Sequence, residues 1–61
     1  MRYVVTIENF LENKVEHHTF DDLQQARAFV ENSEDKPKEK GAFVYHGKEH
    51  HYFIERERNL Y

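Results

Sequence analysis

Apolar and polar residues change rhythm along this chain, and each change marks an element. Between Arg2 and Phe10 they alternate. Tyr3, Val5 and Ile7 fall on one face and Val4, Thr6 and Glu8 on the other, the period of a half-buried strand. From Phe20 to Ser33 the period lengthens to that of a helix. At about 100° per residue, Leu23, Ala26, Phe29 and Val30 share one arc, while Gln24, Ala28, Glu31 and Asn32 point away. Asp21 with Gln24 offers a capping box at its start, and Asp22 with Gln25 one nearly as good. A helix this short is marginal alone, so its apolar stripe must lie on something.

Strand-like segments flank the helix on both sides. Phe10 to Lys14 reads as a hairpin loop, followed by a second strand from Val15 to Thr19 or Phe20. Its facing depends on the loop. An odd-length loop turns Val15, His17 and Thr19 inward, and an even one turns His18 and Phe20 inward. Glu34 to Gly41 is the most polar stretch, holds the single proline, and is expected to be a solvated linker. Ala42 to His46 forms a third strand. His46-Gly47-Lys48 is the turn, with Gly47 supplying a positive φ, and a fourth strand runs from about Glu49 to Glu57. Phe43, Tyr45, His50, Tyr52 and Ile54 share one side of this hairpin; Ala42, Val44, His51 and Phe53 share the other. The residues from Arg56 to Tyr61 either fray or extend the last strand.

The predicted order is β-β-α-β-β over residues 1–61, a single small α+β domain with one helix packed on a four-stranded antiparallel sheet. Its inner set is Tyr3, Val5, Ile7, Phe20, Leu23, Ala26, Phe29, Val30, Phe43, Tyr45, Tyr52 and Ile54. Composition supports folding despite 34% charged residues, because five phenylalanines and four tyrosines can supply a core. A chain of 61 residues buries only ~60% of its unfolded surface, so added burial through a partner is valuable.

The net charge of −3 exerts no general pull on nucleic acid. With no cysteine, there is no disulfide framework and no thiolate, and a reducing, cytoplasmic setting is expected. The alternating start, Met1 to Ile7, does not read as a signal peptide. No apolar run approaches the ~20 residues that cross a bilayer, so no membrane association is expected.

Five histidines stand out: His17, His18, His46, His50 and His51. His17/His18 and His50/His51 are sequence neighbours on strands and point to opposite faces, so neither pair chelates as a unit. His46 and His51 share one side of the last hairpin, where Glu49 could join them, yet no metal-binding motif is present. No metal or cofactor is therefore expected. The hydroxyls of Thr6, Thr19 and Ser33 sit in no nucleophile elbow, and Asp21 and Asp22 are explained by capping. No enzymatic activity is expected. His50 is expected to meet the edge of the aromatic core and to be hydrogen-bonded there.

What the sequence leaves uncovered is the second face of the sheet: Val4, Thr6, Ala42, Val44, His51 and Phe53. Clustered Val and Phe on a flat face read as a contact surface. The expectation is a small protein-interaction module (adaptor, inhibitor or regulatory subunit), homodimeric through this face and acting on another protein. The alternative is a single-stranded nucleic-acid binder stacking bases on Tyr45, Tyr52 and Phe53, with Lys48, Arg56 and Arg58 near the phosphates.

Overall fold

The computed structural model describes residues 2–57. In chain order they form β1 (Tyr3–Asn9), β2 (Lys14–Phe20), α1 (Leu23–Glu31), β3 (Lys38–Gly41), β4 (Val44–His46) and β5 (His50–Arg56). The protein is a small α+β domain with one helix on an antiparallel sheet. The sheet has five strands rather than the expected four, in the order β2-β1-β5-β4-β3. Residues 58–61, where the last strand was expected to fray or extend, lie outside the described residues. No helix among the described residues is long and apolar enough to cross a membrane.

The centre of the sheet follows from the alternation. Val5 lies opposite His18 on β2 and Ile54 on β5, and Ile7 lies opposite Glu16 and Tyr52. These positions put Val5, Ile7, Tyr52 and Ile54, with Tyr45 from β4, under Ala26 and Val30 of α1 as one buried cluster. Tyr3, Phe20 and Leu23 pack at its margin. The β1–β2 loop settles the facing of β2. Asn9 pairs with Lys14, leaving the four residues from Phe10 to Asn13 between them, so His18 and Phe20 share the helix side with Val5. Asn13 accommodates the reversal at φ 57°, a left-handed conformation that Asn tolerates.

Other expectations are corrected. The stretch Lys38–Gly41 is a strand, β3, not a linker. It is an edge strand exposed throughout, so it carries no apolar alternation to announce it. Ala42 and Phe43 are therefore not in a strand; they form the turn between β3 and β4. Phe43 has φ 62° and leaves the core at 40% exposed, with the Arg27 Cζ 6.0 Å from its ring. Phe29 is also 38% exposed, resting against Phe20 and His18 on the β2 side of the helix. The helix is shorter than the periodic stretch and begins after Asp22, not Asp21. Asp22 is extended at φ −142° and its Oδ1 accepts from the Gln25 N–H at 2.8 Å, as an N-cap should.

Candidate functional site

Two features of the chain stand apart from ordinary packing: the open sheet face and a polar cluster at one end of the sheet. The open face follows from strand register. Its middle row crosses four strands, His17–Thr6–Phe53–Val44, with Thr19–Val4–Glu55 on one side and Val15–Glu8–His51–His46–Lys38 on the other. Val4, Thr6, Val44, His51 and Phe53 are brought together as expected, each half-buried. Ala42 is not with them, because it sits exposed in the β3–β4 turn. Around the apolar centre, Phe10 stacks against His51 and His51 against His46, with ring centroids 4.8 and 4.3 Å apart. The Thr6 hydroxyl lies 3.2 Å from His17 Nδ1. A shallow depression runs along the Val4 side, lined by Val4, Thr6, His17, Glu55, Arg56 and Glu57.

The even-length loop turns Val15 and His17 to this face, the second of the two facings the sequence allows; Phe10 is the residue that sequence reasoning missed here. A four-residue loop closed by Asn9 was the available signal: Asn9 Oδ1 accepts from the backbone N–H of both Leu11 and Glu12, at 3.0 and 2.9 Å, an Asx turn that fixes the reversal.

At the end of the sheet holding the β4–β5 turn, Asp35 does what no motif announced. Its side chain is only 9% exposed. One carboxylate oxygen accepts from the Glu49 N–H at 3.0 Å, and the other from the His50 N–H at 3.2 Å. Those N–H groups belong to the tight turn over Lys48 and Glu49, closed by the Gly47 N–H donating to the His50 carbonyl at 2.7 Å. Gly47 is needed for space rather than for a positive φ, since no glycine has one among the described residues. A Cβ on Gly47 would collide with the Asp35 carboxylate.

His50 is oriented by the same cluster. Because Asn9 Oδ1 is occupied by two backbone donors, its amide nitrogen faces His50 Nε2 at 3.3 Å. That contact makes Nε2 the acceptor and places the ring proton on Nδ1. Nδ1 lies 3.5 Å from Asp35 Oδ2, near enough for attraction but without hydrogen-bond geometry, and has no other partner. His50 thus stands beside the aromatic core, 6.0 Å from Tyr52 by ring centroids, and is hydrogen-bonded there as expected.

Tyr52 closes the cluster. Its hydroxyl meets Ser33 Oγ at 2.8 Å and reaches Asp35 Oδ2 at 3.5 Å. Burial raises the phenol above its ordinary value of 10.0, the Asp35 carboxylate adds to the rise, and the Ser33 contact partly opposes it. A raised folded-state value favours the neutral phenol. Its contribution to stability is complete below pH ~10 and is lost as pH rises through and beyond that value. Tyr52→Phe is expected to lose about 1 kcal/mol at neutral pH, from the hydroxyl's hydrogen bonds. Its urea midpoint will also fall less than the wild type's between pH 9 and pH 11. Parallel alkaline losses in the two proteins would refute the assignment.

The chemistry open to these groups is limited. Ser33 Oγ is engaged with Tyr52 and His50 Nε2 with Asn9, so no hydroxyl–imidazole pair is aligned in this cluster. Among the described residues no three His, Cys, Asp or Glu side chains converge as metal ligands, so Glu49 does not join His46 and His51. On the helix side, Tyr45 donates to Glu31 at 3.3 Å, and Arg27 lies 3.6 Å from Glu39. The neighbouring Tyr45 hydroxyl is the main influence raising the Arg27 guanidinium above its ordinary value. This group ties β3 and β4 to the helix. Compared with protein-family models, with characterised proteins and with solved structures, the chain matches none.

Proposed function

We propose that the protein is a homodimeric interaction module whose open sheet face meets the same face of a second copy, and whose role is to bind another protein. The observation that carries this reading is the Thr6–Phe53–Val44 row. It is half-buried and apolar at its centre, and no element among the described residues lies over it, because α1 packs on the opposite face. Among the described residues of one chain only seven hydrophobic side chains are buried, so a second layer adds to a small core.

The face is self-complementary about a two-fold axis running along its middle row. Phe53 then packs beside Phe53 of the second copy, and His51 comes opposite the second copy's Glu55, an imidazole facing a carboxylate. The 28 residues of the five strands, spaced about 4.8 Å across the sheet and about 3.4 Å along it, give a face of roughly 450 Å² in projection. That approaches the roughly 600 Å² per partner at the small end of specific interfaces. The nucleic-acid alternative is less well supported, because Tyr45 and Tyr52 are each 2% exposed and offer no ring to a base.

Sedimentation equilibrium tests the proposal. Phe53→Asp puts a charge at the centre of the face and should abolish face pairing while leaving the circular dichroism of the sheet in place. Val44→Lys, at the rim of the same row, should weaken it in the same direction. If both variants keep the wild-type mass, the open face is not the dimer contact.

A further inference from the structure

The sheet has two edges, and they are built differently. β3 is four residues long, follows Pro37, carries Lys38 and Lys40, and is broken by a register shift between Glu39 and Gly41. Those are the devices that keep an edge from pairing. β2 has no bulge, and its one lysine, Lys14, stands at its first residue, beside the loop. The strand runs seven residues in unbroken register with β1, holds no proline, and leaves Val15 55% exposed.

The direction of its free backbone groups can be worked out. Phe10 donates to the Glu49 carbonyl and Glu57 to the Arg2 carbonyl, so even-numbered residues of β1 turn their peptide groups toward β5. Odd-numbered residues therefore turn theirs toward β2, where they bond Lys14, Glu16, His18 and Phe20. The N–H and C=O groups of Val15, His17 and Thr19 are left pointing out of the sheet.

We propose that this edge pairs antiparallel with β2 of a second copy about a two-fold axis at His17, joining two five-stranded sheets into one of ten strands. The register places Val15 opposite Thr19 of the second copy, His17 opposite His17, and Thr19 opposite Val15. Every outward N–H and C=O of the three residues then has a partner. The alternate positions fall between these, where side chains across a ladder lie closest, about 4.5 Å between Cα atoms. There Glu16 comes opposite His18 of the second copy, and His18 opposite Glu16. The two residues already attract each other within one chain, at 3.4 Å, and the pairing offers each a second partner. A strand of unrelated sequence satisfies the backbone but not this reciprocal Glu16–His18 contact, which is why a second copy fits the edge. The edge stands independently of the face contact. The two axes share the His17 row and cross at right angles, so both pairings close together into a tetramer of dihedral symmetry.

The test uses the full chain in the Phe53→Asp background, measured by sedimentation equilibrium. If the edge pairs, Phe53→Asp alone remains a dimer, and adding His17→Pro reduces it to a monomer. The His17 N–H takes no part in the β1 ladder, and proline is accepted at such outward edge positions. Glu16→Lys should weaken the dimer about tenfold by setting a lysine against His18, and Glu16→Lys with His18→Glu should restore it. A Phe53→Asp chain that is already monomeric overturns the edge proposal while supporting the face. A Phe53→Asp dimer insensitive to His17→Pro and to the charge reversal overturns it equally. A monomeric wild type overturns both.

Discussion

Asp35→Ala is expected to destabilise the protein by about 2–4 kcal/mol, out of a total that for this length lies near 3–9 kcal/mol. The carboxylate is nearly buried and holds the N–H groups of Glu49 and His50, which the turn itself leaves without carbonyl partners. Removing it strands both donors and withdraws the charge facing His50 Nδ1. Gly47→Ala should cost nearly as much by a different route. Its new methyl group would collide with Asp35 Oδ2 and Cγ, so the carboxylate must leave its donors. Eviction bounds the penalty: Gly47→Ala cannot cost much more than Asp35→Ala, because both end with the same unmade bonds. In the double variant the carboxylate is gone and only the Cβ of residue 35 stands near the new methyl, at 3.2 Å, a contact relieved by a small shift, and Gly47 has no positive φ to strain it. There Gly47→Ala should be close to neutral, the tight contact offsetting the ~0.5 kcal/mol gained through the unfolded chain. Urea unfolding of the four proteins measures the coupling, expected at about 2 kcal/mol. Additive costs would show that Gly47 and Asp35 act separately and that the close approach has no energetic meaning.

This pair also shows where sequence reading stops. The strands at the centre were legible because Val5, Ile7, Tyr52 and Ile54 alternate with residues that face outward, and burial on one face leaves that period in the sequence. Leu23, Ala26 and Val30 were legible for the corresponding reason in a helix. Phe29 lies on the margin of the same stripe, and its exposure depends on where β2 ends beside it, which no period records. Phe43 looked like a strand residue because it is aromatic and sits next to Val44. The turn that β3 creates takes it out of the sheet. β3 itself was hidden because an edge strand with both faces in solvent needs only backbone pairing, and Lys38-Glu39-Lys40 supplies that without an apolar residue. Asp35 was unreadable for a further reason. One carboxylate in a charged loop has no spacing to reveal it, and its partners are backbone groups 14 and 15 residues away. Gly47 was recognised as a special position, but the constraint comes from a side chain above it and not from its own torsion. Of the open face, Val4, Thr6, Val44, His51 and Phe53 followed from alternation alone, while Ala42 depended on a strand start two residues too early.

Val5→Ala is expected to cost about 2–3 kcal/mol at any protein concentration, and its neighbour Val4→Ala much less in a dilute sample. The two residues are adjacent on the central strand and differ only in the face they serve. Val5 is fully buried between Ile54, His18 and the helix, whereas Val4 is half-buried on the open side beside Thr19 and Glu55. Truncating Val5 leaves a cavity beneath α1 within one chain, so its penalty contains no association term. Val4 faces the second copy in the proposed assembly, and its burial there is coupled to assembly by mass action. Across a ~100-fold range of concentration the melting temperature of the wild type should rise. The Val5→Ala curve should run parallel below it, and the Val4→Ala curve should rise less steeply. A wild-type melting temperature that ignores concentration would remove the face contact from the argument. The Val5 penalty would remain, because it follows from packing inside a single copy.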